Sequence, residues 1–217
     1  MSERFPSGRL RGLYAVTPDE ADTSRLLALT ARVLQGRPAL LQYRNKFASR
    51  ALKHEQALAL LALCRAAGVP LVVNDDLALA LQIGADGAHL GREDGEPAAA
   101  REALGAGRIL GVTCYSEFER ARQGAEAGAD YVAFGAMYAS PSKPQAPRAP
   151  FELLAQARRE LQLPVAAIGG ITLDNAAPVI AAGADLLAVI SDVFGADEPA
   201  ARAAAYRPLF GLPRPSS

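Results

Sequence analysis

The feature that most constrains this chain is alternation. Eight short β-prone runs are each followed by an Ala- and Leu-rich stretch of helical character. The runs that read as strands are 13–17, 40–43, 71–74, 87–90, 109–113, 131–134, 165–168 and 186–190, and the helices between and after them are read at 24–35, 50–67, 77–83, 97–104, 117–127, 151–161, 175–182 and 199–206. A strand that returns through a helix to the same sheet lies parallel to its predecessor, because the crossover is too long for a hairpin. Glycines mark these returns at Gly68, Gly84, Gly128 and Gly183, and Gly-Ala-Asp recurs at 84–86, 128–130 and 183–185. Gly ends a helix by accepting positive φ. The repeat therefore reads as capping chemistry, and its aspartates are given no catalytic role.

Eight parallel units close naturally into an α/β fold of the (β/α)8 TIM-barrel type, and 217 residues suit a single barrel domain spanning 1–217. The Pro- and Ser-rich tail, 211–217, is expected to fray. An open doubly wound sheet would place a Gly-rich dinucleotide turn after the first strand. Thr17-Pro18-Asp19-Glu20 is not such a turn.

Charge narrows the partners. With 23 basic and 23 acidic residues the formal net charge is zero, so no broad attraction to nucleic acid or to an anionic membrane is expected, and any anion must be bound locally. No apolar run approaches the ~20 residues of a membrane span, and the opening MSERFPSGRL carries no apolar leader. Two cysteines, Cys64 and Cys114, are too few for a disulfide framework, and a reducing cytoplasm is the expected location. Homo-oligomer formation stays open.

In a barrel of this kind the reactive groups gather at the carboxyl ends of the strands. Strand two leads to Gln42, Arg44 and Lys46; strand three to Asn74 and Asp75; strand four through His89 to Asp94; strand five to Thr113. Two cations and two carboxylates on one rim suit a diphosphate held with a divalent metal, whose hard charge prefers oxygen ligands while Arg and Lys take the remaining phosphate charge. The competing reading pairs each aspartate with a neighbouring arginine such as Arg92. His54 reads as a surface residue of the second helix, His89 as structural, and Cys114 as non-catalytic for want of a nearby His and acid. Gly169-Gly170 after strand seven and Ser191 after strand eight fit a phosphate cradle, or a tight turn. Between strand six and its helix, Ser140-Pro141-Ser142-Lys143-Pro144 with Pro147 and Pro150 favours an extended, stiff loop that could act as a lid.

The order and spacing of Gln42-Tyr43-Arg44-Asn45-Lys46, Asn74-Asp75, Gly87-Ala88-His89-Leu90-Gly91-Arg92-Glu93-Asp94, Gly111-Val112-Thr113 and Ala167-Ile168-Gly169-Gly170-Ile171 resemble the thiamine-phosphate synthase family over nearly the whole chain. The resemblance implies small-molecule substrates: an aminopyrimidine diphosphate and a thiazole phosphate, carboxylated or not, joined with release of diphosphate. It implies Mg²⁺ on Asp75 and Asp94, with Arg44, Lys46, Asn74 and Lys143 serving the diphosphate. Gln42 and Thr113 would face the pyrimidine, and Ser140, Ser142, Gly170, Ile190 and Ser191 the thiazole phosphate. Tyr43, Asn45 and Pro141 are counted into these substrate-binding segments. Arg44, Lys46 and Lys143 are the implied catalytic groups, and no protein nucleophile is needed. Tyr43 departs from the usual aliphatic residue, Ser140-Pro141-Ser142 from a threonine-containing segment, and the sixth loop is richer in proline. A thiazole tautomerase of the same superfamily, or a non-catalytic barrel sensing a thiamine precursor, are the alternatives; the retained cations and carboxylates favour the synthase.

Overall fold

The computed structural model describes residues 10–139, 147–213 and 215. Eight parallel strands form a closed barrel in sequence order. They are β1 (Gly12–Val16), β2 (Leu40–Tyr43), β3 (Leu71–Asn74), β4 (Gly87–Leu90), β5 (Ile109–Tyr115), β6 (Tyr131–Gly135), β7 (Val165–Ile168) and β8 (Leu186–Val189). Around them run α1 (Thr23–Gln35), α2 (Arg50–Ala67), α3 (Leu77–Ile83), α4 (Pro97–Leu104), α5 (Phe118–Glu126), α6 (Glu152–Leu161), α7 (Ala176–Ala181), α8 (Ser191–Phe194) and α9 (Pro199–Ala205). None of the described helices is long and apolar enough to cross a membrane.

Strand alternation sorts the side chains into two packed layers. Tyr14, Val16, Leu40, Val72, Ile109, Tyr131 and Leu186 fill the barrel interior. Leu13, Ala15, Leu41, Tyr43, Leu71, Val73, Leu110, Val112, Val132 and Phe134 face outward into the helix layer. Side-chain oxygens start several helices: Asp22 accepts from the Arg25 N–H, Ser49 from Leu52 and Asp76 from Leu79, each satisfying a donor that the first turn leaves unpaired.

At the amino ends of the strands, the Gly-Ala-Asp repeat does more than cap helices. Gly84, Gly128 and Gly183 do adopt positive φ at helix ends. The aspartates that follow, however, reach sideways to the preceding strand. Asp86 Oδ2 accepts the Leu71 N–H of β3 at 2.8 Å, Asp130 Oδ2 the Leu110 N–H of β5 at 2.8 Å, and Asp185 Oδ2 the Val165 N–H of β7 at 3.1 Å. Each unit thus ties the strand it starts to the one before it.

Three features depart from the sequence expectation. β5 runs on to Tyr115, with a register shift against β6 between Thr113 and Tyr115. A four-residue helix, α8, follows β8 directly, so Ser191 begins a helix rather than a loop. The tail is docked as far as Pro213: Leu212 packs on the core, and Arg207 Nε donates to the Pro213 carbonyl at 2.6 Å.

Candidate active site

The carboxyl ends of β2, β3 and β4 bring the expected charges together. A cleft between β2 and β3 is lined by Arg44, Lys46, Asn74 and Asp75, and by Lys53, which α2 adds as a third cation. Asp75 sits at φ 60°, a left-handed conformation that a non-glycine residue adopts at a cost, and Asp is among the residues that tolerate it best. Its backbone N–H donates to the His89 carbonyl at 2.8 Å, fixing it against β4. The Asp75 carboxyl meets that of Asp94. Burial comes first among the causes that raise its pKa to about 6, followed by the hydrogen bond to Asp94 and its charge, while Lys46 and Asn74 pull the other way. Asp94 is oriented by the Gly91 N–H, which donates to its Oδ2 at 2.8 Å. A Cβ on Gly91 would lie 2.8 Å from that oxygen, so a side chain there would push the carboxylate aside.

A half-buried carboxyl whose proton is held beside a second carboxyl is a natural place for a cation. Among the described residues no group of three or more His, Cys, Asp or Glu surrounds a point. A two-carboxylate oxygen set suits Mg²⁺, which keeps several waters and takes its other ligands from substrate phosphate. Arg92, the competing partner, is engaged elsewhere: its guanidinium pairs with Glu117 and lies over the Tyr115 ring.

Arg44 is held by Asp19, which no sequence motif marks. Its Nη1 donates to Asp19 Oδ2 at 2.9 Å, and the Lys46 backbone N–H donates to Asp19 Oδ1 at 2.6 Å. Thr17 adds two bonds to the Arg44 backbone, both 2.9 Å. Asp19 stands just past the end of β1, and that placement was the only cue available. Tyr43 and Asn45, expected among the substrate-binding groups, also line this cleft, but their side-chain polar groups are engaged within the protein. Strand alternation sends Tyr43 into the helix layer, where its hydroxyl donates to Gln56 Oε1 at 2.9 Å. Asn45 Nδ2 donates to the Glu20 carbonyl and to Gln56 Oε1, so both side chains brace the loop that carries Arg44 and Lys46.

Gln42 and Thr113 are joined through the barrel interior. Gln42 Nε2 donates to the Tyr14 hydroxyl at 2.6 Å, Tyr14 meets Tyr131 at 2.6 Å, Tyr131 meets His89 Nδ1 at 2.8 Å, and His89 Nε2 meets Thr113 Oγ1 at 2.6 Å. His89 therefore points inward. Burial lowers its pKa to about 4, which keeps the ring neutral. No local pattern announces this chain, because its members come from five strands.

At β7 and β8, Gly169 and Gly170 adopt φ 106° and 63°. The turn is locked by Asn175, whose Oδ1 accepts the Thr172 N–H and whose Nδ2 donates to the Gly170 carbonyl. A Cβ on Gly170 would lie 2.5 Å from the Ala139 carbonyl oxygen, so close passage of the sixth loop already requires glycine here. Ile190 precedes α8, and Ser191 opens it exposed at the rim. Ser140, Pro141, Ser142 and Lys143 lie outside the described residues. Cys114 is fully buried and its thiol is pushed up to about 12, chiefly by burial, which leaves it no nucleophilic thiolate.

A closed (β/α)8 barrel with cations and paired carboxylates at its strand ends has the make-up of an enzyme for phosphorylated substrates. The chain belongs to the thiamine monophosphate synthase family, whose model matches residues 13–193. It is 65% identical over 206 residues to a thiamine-phosphate synthase of Aromatoleum aromaticum, covering 95% of this chain and 99% of that protein. It is 62% identical over 202 residues to one from Azoarcus sp. (strain BH72), covering 93% and 98%. A solved thiamine phosphate pyrophosphorylase from Pyrococcus furiosus superposes with a TM-score of 0.82 at 30% identity, covering 94% and 97% of the two chains. A 3-hexulose-6-phosphate synthase at 20% identity, TM-score 0.69, shares the fold alone.

Proposed function

We propose that the chain is a thiamine-phosphate synthase, a transferase that joins 4-amino-2-methyl-5-hydroxymethylpyrimidine diphosphate to 4-methyl-5-hydroxyethylthiazole phosphate, or its carboxylated form, releasing diphosphate. The observation that carries this reading is the Asp75–Asp94 carboxylate pair beside Lys46, in a chain 65% identical to a protein of that name. Asp75 and Asp94 would hold Mg²⁺, which when bound supplies positive charge to the diphosphate oxygens and makes that group a better leaving group.

The protein's own groups do the remaining work. Arg44, fixed by Asp19, and Lys46 meet the charge that grows on the departing diphosphate, and Lys143 on the sixth loop adds a further cation. Asn74 supplies a neutral donor beside them. Gln42 and Thr113 orient the pyrimidine, so that its methylene loses diphosphate largely before the thiazole nitrogen attacks. Ser140, Ser142, Gly170, Ile190 and Ser191 serve the thiazole phosphate, the last three from the carboxyl ends of β7 and β8. No side chain needs to become a nucleophile, in keeping with the inert buried cysteine.

The test is product formation by purified protein given both substrates, with and without Mg²⁺, read by chromatography. Metal-dependent appearance of thiamine phosphate and diphosphate is the expected result. Tight binding of thiazole phosphate with no product would turn the reading to a tautomerase or a precursor sensor.

A further inference from the structure

The chain of five side chains inside the barrel carries more than packing, because its hydrogen atoms can be counted. Gln42 Nε2 donates to the Tyr14 oxygen. Each tyrosine hydrogen then finds a partner only if Tyr14 donates to the Tyr131 oxygen and Tyr131 donates to His89 Nδ1. A neutral imidazole that accepts at Nδ1 carries its hydrogen at Nε2, and that nitrogen donates to Thr113 Oγ1. Thr113, having accepted, is left with its own hydrogen to donate outward. Gln42 keeps its side-chain oxygen as an acceptor, together with the second hydrogen of its NH₂ group.

The reverse order requires the Gln42 amide to be turned over, with its NH₂ group toward the rim. Arg44 and Lys46 follow Gln42 two and four positions on and line that rim, and an acceptor oxygen is the better neighbour for two cations. A second observation shows that the chain is built in. Gly111 is opposite His89 in the β4–β5 register and opposite Tyr131 in the β5–β6 register. A Cβ there would fall 2.1 Å from Tyr131 Cζ and 2.6 Å from His89 Nδ1, so only glycine lets the tyrosine and histidine rings meet. They stack with centroids 5.5 Å apart, and Tyr14 packs edge-on to Tyr131 at 5.6 Å.

We propose that Tyr14, Tyr131 and His89 are positioning residues that form a one-way hydrogen-bond relay, which fixes Gln42 as an acceptor and Thr113 as a donor toward the pyrimidine pocket. Their use in substrate selection rests on the function proposed above. An aminopyrimidine offers an amino hydrogen to the Gln42 oxygen and a ring nitrogen to the Thr113 hydroxyl. Its 4-oxo counterpart offers a carbonyl oxygen and a ring N–H, the opposite pattern. A site with fixed polarity rejects that pattern because its own buried groups are left unpaired.

The first arm of the test needs no substrate. Full-length protein labelled with ¹⁵N in its histidine rings has only two such residues, and His54→Gln assigns the spectrum. The expected result at neutral pH is a His89 ring protonated at Nε2 and bare at Nδ1; a hydrogen on Nδ1, or a doubly protonated ring, overturns the relay's direction. The second arm compares kcat/KM for the aminopyrimidine diphosphate and its 4-oxo counterpart. Wild type should favour the amino form by ~10²-fold or more, and Tyr131→Phe should narrow that preference by about tenfold while the KM for thiazole phosphate stays put. Tyr14→Phe provides a second break in the same chain. An unchanged preference in folded variants of both overturns the positioning role. Failure of wild type to react with either pyrimidine would sink the function and leave the tautomer result standing.

Discussion

The two ends of this barrel use aspartate in opposite ways. On the floor, Asp86, Asp130 and Asp185 each accept a strand N–H, and Asp130 and Asp185 are also paired with Arg101 and Arg158. On the rim, Asp75 and Asp94 face each other as like charges, and Asp75 has its proton held up to about pH 6. A carboxylate whose partners are supplied by the fold is scaffolding. A carboxylate whose best partner is a second carboxylate is waiting for a cation. The floor aspartates stabilise; the rim aspartates cost stability, and in the proposed function they would hold the metal.

The largest break in that contrast is Asp130→Ala. It leaves the Arg101 guanidinium and the Leu110 N–H without their shared acceptor, and should cost about 3–5 kcal/mol in chemical denaturation. Activity per folded molecule should hardly change. Asp75→Asn should do the reverse. The kcat/KM for product formation should fall by ~10²-fold or more, since the metal's contribution to the leaving group is lost, while the midpoint of thermal unfolding in chelator rises because a crowded charge is gone. A smaller effect is expected for Asp185→Ala, about 1–2 kcal/mol, because Arg158 at that corner is half exposed and keeps water as a substitute.

The subtlest effect is a pH dependence. The Asp75 carboxyl titrates at its ordinary 3.8 in the unfolded chain and at about 6 in the fold, so the folded state holds the extra proton between those values. Stability from this group is therefore lost as pH rises through that window, and the full penalty applies above it. In chelator, the thermal midpoint of Asp75→Asn minus that of wild type should be small near pH 4 and should grow until pH passes about 6. A difference that shrinks with rising pH would contradict the burial of the Asp75 carboxyl beside Asp94.

Much of this was legible in the chain. β2, β3, β4 and β7, with α2, α3 and α4, have the bounds that glycine punctuation and apolar runs suggest. Arg44 and Asp75 directly follow a strand, Asn74 ends one, and Lys46 and Asp94 lie within four residues of one, so this group of charges could be read from the strand ends. What escaped notice was non-local or unpunctuated. α8 begins at the residue after Ile190 with no side-chain cap to announce it. Asp19 meets Arg44 across 25 residues, and the relay depends on the register of five strands, which no window of sequence contains. The floor aspartates were recognised as a repeat, yet their bonds to neighbouring strands appear only once the barrel is closed.

The most direct test of the contrast is a Mg²⁺ titration of thiamine phosphate formation by wild type and Asp75→Asn side by side, with Asp185→Asn as the floor control. Rim and floor should separate: wild type and Asp185→Asn saturate together, and Asp75→Asn requires much more Mg²⁺ or stays inactive. Superimposable curves for all three would remove Asp75 from the metal site and with it the claim that the rim carboxylates are kept apart from the scaffold to hold a cation.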